Sequence, residues 1–187
     1  MQKIPSLFKR DYEGNRQVYD AVVEGCEWVL AGEGTPTEKI DGTCCMVLDG
    51  VLWKRYELKP GRRVPEGFLP AQDADPVTGE QPGWLPVTDD PADRWHREAW
   101  AYMGGHLPDG TYELIGARIG NKGGGNPYHL DHHELRRHGE TVIDGNPRTF
   151  EDIRRWLAEH EVEGIVWHHP DGRMCKIKRR DFGLEWA

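Results

Sequence analysis

Two runs of strand-forming residues joined by Asp49-Gly50 constrain this chain more than any other feature of its sequence. Thr43–Leu48 (TCCMVL) and Val51–Leu58 (VLWKRYEL) are rich in β-branched and aromatic residues. A two-residue connection between antiparallel strands needs positive φ, which Asp-Gly tolerates, so a β-hairpin is predicted here. The chain closes on the same pattern, with residues 163–168 (EGIVWH), a Pro170-Asp171-Gly172 turn and residues 173–178 (RMCKIK) reading as a second hairpin.

Between the hairpins the apolar spacing becomes helical. In residues 93–103, Trp95, Ala99 and Tyr102 share one stripe, with Asp89 and Asp90 as capping candidates before Pro91. Thr149 is placed to cap a second helix, with Asp152 at its third position and Ile153, Trp156 and Leu157 as its apolar face. That helix is expected to end near His160. Residues 111–115 (TYELI) read as a strand, 120–127 as a glycine-rich loop, and 140–143 as a further short strand. Residues 26–31 (CEWVLA) are a short apolar run before a turn-rich GEGTPT, and residues 60–91, rich in proline and glycine, read as a surface excursion. Strand pairs at both ends with helices between them imply an α+β domain of antiparallel sheets, expected to occupy residues 1–187 as one unit.

Composition narrows the function. No run approaches the roughly 20 apolar residues that span a bilayer, and the N-terminus lacks the apolar segment of a signal peptide, so a cytoplasmic protein without membrane contact is expected. The four cysteines, Cys26, Cys44, Cys45 and Cys175, form no CxxC pair and read as reduced thiols. With 24 Lys and Arg against 32 Asp and Glu, the net charge of −8 excludes a protein that coats phosphates over its whole surface. A basic contact must be local, and residues 173–180 (RMCKIKRR) hold five cations in eight positions.

The chemistry centres on Glu38-Lys39-Ile40-Asp41-Gly42. An extended backbone puts Lys39 and Asp41 on one face, and Gly42 leaves room for a ligand close to the main chain. A lysine becomes a nucleophile only after losing its proton, which desolvation or nearby positive charge favours. Downstream, in order, stand Arg55 in KRYELK, Glu113 in YELIG, Glu163 in EGIV, and Lys176 and Lys178 in KIK.

This series resembles the covalent nucleotidyltransferase superfamily of DNA ligases, RNA ligases and mRNA-capping enzymes, in which a KxDG lysine is followed by a glutamate strand, an EGxV and a closing KxK. The resemblance runs over about residues 37–178, and the segment 37–43 (TEKIDGT) is most similar to ATP-dependent RNA ligases. The segment 120–130 resembles the small single-domain RNA ligases of vertebrates and some bacteria. The resemblance implies an adenylyltransferase domain without a C-terminal oligonucleotide-binding domain. It also implies ATP as the nucleotide, Mg²⁺ or Mn²⁺ as the metal, and RNA 5′-phosphate and 3′-hydroxyl ends as partners of a monomeric enzyme.

By the same resemblance, Lys39 is the catalytic residue that takes AMP. Glu38, Lys39, Ile40, Arg55, Glu113, Glu163, Lys176 and Lys178 contact the nucleotide, and Glu163 and Asp41 hold the metal. Arg179 and Arg180, just beyond the closing strand, are expected to contact RNA. Tyr128 and His129 are the candidates for stacking on the base. The histidines at 129, 132 and 133 read as a polar surface turn in preference to a zinc site, and residues 120–125 as a substrate-side loop or plain turn. The alternatives are a DNA ligase, a capping-type guanylyltransferase, or a non-catalytic binding module of the same fold.

Overall fold

The computed structural model describes residues 3–119 and 127–185. In chain order they form β1 (Phe8–Arg10), β2 (Val18–Val22), α1 (Glu27–Leu30), β3 (Thr35–Lys39), β4 (Thr43–Leu48), β5 (Val51–Leu58), β6 (Leu69–Pro70) and β7 (Gln81–Pro86). There follow α2 (Arg94–Tyr102), β8 (Gly110–Gly116), β9 (His133–Arg137), α3 (Phe150–Glu159), β10 (Gly164–His168) and β11 (Met174–Lys178). These strands pair antiparallel, and with the helices beside them the architecture is α+β, as expected. Contacts divide the chain into two compact units. A terminal unit comes from residues 4–40 and 138 onward, and a middle unit comes from Lys3 and residues 41–137.

The middle unit is a six-stranded sheet in the order β6-β7-β5-β4-β8-β9. Its centre is the predicted hairpin, with both strand bounds as read from sequence and Asp49 and Gly50 at φ 51° and 74°. Cys45, Val47, Leu52, Tyr112, Leu114 and Leu135 bury one face of the sheet together with Ala99 of α2. Asp90 caps the turn entering α2 by accepting the Ala92 N–H at 2.8 Å. Tyr102 leaves the predicted apolar stripe, since it is exposed and stacks on His132 at 4.1 Å.

Two sequence readings fail in this unit. Residues 60–91 contain β7, paired along β5 and anchored by the buried Trp84, so they are more than a surface excursion. Pro82 and Pro86 hid it, and they are tolerated because β6 pairs with only two residues of β7 and leaves the rest of that side as an edge. Nor do the histidines form a surface turn, because His133 opens β9 and is buried. Both its nitrogens are satisfied, with Nε2 accepting the Arg118 N–H at 3.1 Å and Nδ1 lying 2.7 Å from Glu98 Oε1, which is what makes burial tolerable.

The terminal unit holds the three-stranded sheet β11-β10-β3 and the two-stranded β1-β2. The β10–β11 hairpin is the closing hairpin of the sequence. The Thr149 hydroxyl caps α3 by accepting the Asp152 N–H at 3.2 Å, and Ile153 and Leu157 are fully buried with Phe8, Ile165, Trp167 and Ile177. Residues 140–143 contribute one bridge, Thr37 to Val142, flanked by main-chain bonds from Glu38 and Ile143, rather than a strand of their own. The run at 26–31 forms the short helix α1.

Cys26 and Cys175 are joined in a disulfide, which corrects the expectation of four reduced thiols. They stand 149 residues apart, so no spacing in the sequence announces a pair that only the packing of the α1 N-cap against β11 creates. Cys44 and Cys45 form no disulfide. Burial, helped by Cys44 and Glu113, raises the Cys45 thiol well above its usual value. The glycine-rich loop, including the stretch 120–125 weighed above for a substrate-side role, lies outside the described residues apart from Pro127.

Candidate active site

In the terminal unit, register gathers the lysines. Gly164 of β10 pairs with Lys39 of β3 on one side and with Lys178 of β11 on the other. A Cβ at Gly164 would lie 2.1 Å from the Ile177 carbonyl oxygen, so only glycine lets the two strands approach this closely. Glu163, one residue earlier, extends its carboxylate between the two amines. One oxygen pairs with Lys39 Nζ and the other with Lys178 Nζ. The two-residue period of β11 puts Lys176 on the face of Lys178, while Ile177 between them is fully buried.

Three cations against one carboxylate leave this cluster with two positive charges. Burial pushes the Glu163 carboxyl up, but the charges and hydrogen bonds of Lys39 and Lys178 outweigh it and hold it below the usual carboxylate range. Lys176 differs, because among the described residues its amine has no ion-pair or hydrogen-bond partner. Burial first, and then the charges of Lys178 and Lys39, lower its pKa, with Glu163 and Asp181 opposing. Beneath the cluster the buried Asp181 accepts the Lys178 N–H at 2.9 Å and pairs with Arg10. A site of this kind suits an anion with several oxygens, since bringing one in relieves an uncompensated charge.

The other predicted residues are placed as follows. Glu38 lies on β3 opposite Ile165, and Ile40 is buried. Asp41, Arg55 and Glu113 belong to the middle unit. The Asp41 N–H donates to Tyr128 Oη at 2.8 Å. The Arg55 guanidinium lies 5.1 Å from the centre of the Trp84 ring, and its Nε donates to Glu57 at 3.2 Å. Glu113 sits on β8 opposite Cys44 and is 8% exposed, so it is no plain surface residue.

Two assignments change. Gly42 was read as room for a ligand, yet a Cβ there would lie 2.2 Å from the Leu114 carbonyl oxygen and 2.9 Å from Glu113 Cγ. The glycine is required by the close pass of β8, the same reason that fixes Gly164. Arg179 was expected to contact RNA, but its guanidinium donates to the Leu157 and His160 carbonyls at the end of α3 and to the Glu185 carbonyl. It closes a helix end. Arg180 is the exposed member of the pair.

Sequence reasoning missed the anchoring of Asp41 by Tyr128, because a side chain that serves a main-chain N–H 87 residues away leaves no local pattern.

Comparison with known proteins finds relatives of one family. The family model described as RNA ligase 1 matches residues 103–187. RNA ligase 1 of Rattus norvegicus is 30% identical over 223 aligned positions, which cover 80% of this chain and 67% of the relative. RNA ligase 1 of Danio rerio is 30% identical over 225 positions with the same coverage, and that of Pongo abelii is 28% identical over 224, covering 81% and 68%.

Proposed function

This chain belongs to the RNA ligase 1 family, and from that premise we propose that it is an ATP-dependent RNA ligase. It joins a 5′-phosphate to a 3′-hydroxyl through an adenylate carried on Lys39. The observation that carries the reading is the Glu163 carboxylate held between Lys39 and Lys178, with Lys176, whose amine has no partner among the described residues, on the same face.

Lys39 Nζ attacks the α-phosphorus of ATP. The N–P bond forms as the bond to the bridging oxygen breaks, pyrophosphate leaves with that electron pair, and the lysine proton passes to solvent. Phosphoryl transfer needs positioning and charge more than covalent help. Lys176 and Lys178 supply fixed positive charge at the transferring group, and the buried Asp181 holds the main chain of Lys178 in place. AMP then moves from Lys39 to the RNA 5′-phosphate, and the 3′-hydroxyl displaces it to close the strand.

Glu163 fits a divalent cation. Each of its oxygens already holds positive charge, and Mg²⁺ is commonly held by one or two carboxylates with substrate phosphates filling the remaining positions. Mg²⁺ or Mn²⁺ bound there supplies charge neutralisation at the phosphate oxygens.

The test is covalent labelling. Purified protein is incubated with α-labelled ATP, α-labelled GTP or labelled NAD and resolved under denaturing conditions. Label is expected from ATP alone, and none on Lys39→Ala. Label from GTP alone makes the protein a guanylyltransferase, and label persisting on Lys39→Ala moves the nucleophile elsewhere. Sealing of 5′-phosphorylated RNA in preference to DNA then fixes the polymer.

A further inference from the structure

Between the end of β3 at Lys39 and the start of β4 at Thr43, the main chain passes through Ile40, Asp41 and Gly42. Gly42 is fixed by the Leu114 carbonyl behind it. Asp41 lies outside both strands, so its N–H has no ladder partner, and it donates instead to the Tyr128 hydroxyl at 2.8 Å.

Tyr128 is itself held. The Arg136 guanidinium lies over its ring at 4.7 Å, and Arg136 Nε donates to Glu134 Oε1 at 2.7 Å. The other Glu134 oxygen lies 3.0 Å from His132 Nε2. The phenol therefore takes its place from β9, which carries Arg136 and Glu134, and passes it to the peptide two residues after Lys39.

We propose that Tyr128 is a positioning residue for adenylyl transfer, its hydroxyl fixing the Asp41 peptide and so the turn that follows the nucleophile. The role rests on the reading of Lys39 as the residue that takes AMP. Tyr128 touches no reacting atom in this account. It adds a directional restraint to a three-residue connection whose other residues are held by the burial of Ile40 and the close pass at Gly42, and a displacement of about 1 Å at a reacting group can lower a rate by as much as 10²-fold. A phenol is suited to this, because it presents one acceptor on a rigid ring whose face the arginine covers.

Tyr128→Phe removes the hydroxyl and keeps the ring beneath Arg136. Two measurements on the full chain test the role. The first is the rate of self-adenylylation against ATP concentration. A fall of roughly 10- to 100-fold in the maximal rate is expected, with KM for ATP within about 2-fold, since the lost contact acts on geometry and not on nucleotide affinity. The second is hydrogen exchange of the Asp41 amide by NMR, expected to rise at least about 10-fold while the amides of Thr43–Leu48 stay as they were.

Unchanged Asp41 exchange overturns the proposal whatever the activity. Faster exchange at a wild-type rate overturns the link to catalysis. A raised KM with the maximal rate intact overturns it too, and assigns Tyr128 to the nucleotide base instead. A wild-type protein that takes no label from any nucleotide sinks the ligase reading and the catalytic role together, whereas the other failures occur in a protein that labels normally.

Discussion

The charged residues of the candidate site in the terminal unit lie on or beside three neighbouring strands and act on one another, with Glu163 between Lys39 and Lys178 and with the half-buried Lys176 beside them, its amine without an ion-pair or hydrogen-bond partner among the described residues. In the middle unit, Arg55 of the same sequence series is bound into the scaffold, and the main chain of Asp41 is anchored there. Arg55 rests on Trp84 and Glu57, and Asp41 gives its N–H to Tyr128. A charge bound into the scaffold contributes to stability. One left uncompensated opposes folding, and on the proposed reading a bound phosphate completes it. The two units therefore respond in opposite ways to removal of a cation.

Lys176→Met and Arg55→Met test this most directly. With Lys176 at the transferring phosphate as proposed, removing its charge is expected to slow self-adenylylation by about 10²- to 10³-fold. The same substitution should raise the Tm by a few degrees, since about 1 kcal/mol moves the Tm of a chain this size by roughly 2–4 °C. Arg55→Met should lower the Tm by about 2 °C through loss of its place over Trp84.

The pH dependence has a definite sign. The folded pKa of Lys176 is depressed, so below its ordinary value of about 10.4 the unfolded chain binds more protons, and stability rises with pH through the window between the two values. Lys176→Met removes that rise. Glu163 works at the acid end, where its lowered folded pKa contributes stability above the usual value of about 4.3 that is lost as pH falls through the folded one. A Lys176→Met protein with wild-type labelling or a reduced Tm would break the comparison.

The parts of this organisation legible in the sequence share one property, which is that their cause is local. The hairpin turn at Asp49-Gly50, the Thr149 cap and the two-residue spacing of Lys176 and Lys178 are each set within a few residues. The order of Lys39, Glu163 and the closing lysines was legible as a series, and strand register then brings those residues together. The illegible parts depend on partners remote in sequence. Gly42 answers to Leu114, Tyr128 to Asp41, Arg179 to Leu157, and Cys26 to Cys175. The strands β1 and β2 escaped notice because they are short and half exposed, with no run of apolar alternation to mark them.

The disulfide sharpens the contrast by a smaller step. The terminal unit carries a cross-link over 149 residues, while the two cysteines of the middle unit, Cys44 and Cys45, are in no disulfide. Reduction, or the double substitution Cys26→Ser with Cys175→Ser, should destabilise the protein by about 2–4 kcal/mol. Hydrogen exchange should accelerate most in β10, β11 and α3 and least in β4 and β5. Thiol titration of the unfolded protein checks the premise, with two reactive thiols before reduction and four after. Equal acceleration in both units would mean that the cross-link does not act on the terminal unit alone.

The smallest effect separates Arg179 from Arg180. Arg179 fills the part-buried Leu157 carbonyl and the exposed His160 carbonyl at the end of α3, and losing a hydrogen bond from a charged donor costs about 1 kcal/mol, so Arg179→Ala should lower the Tm by a few degrees at most while the labelling rate per folded molecule holds. Arg180 is exposed, and among the described residues its side chain fills no such group. Its removal should leave the Tm and self-adenylylation unchanged and weaken RNA binding modestly, reducing the slope of log affinity against log salt by about 1, as expected for the loss of one phosphate contact. Both variants are therefore measured for Tm, for labelled AMP on the protein, and for RNA affinity at two salt concentrations. If Arg180→Ala leaves the salt slope at its wild-type value, RNA does not pass along the end of β11, and the phosphate contacts must come from cations elsewhere on the chain.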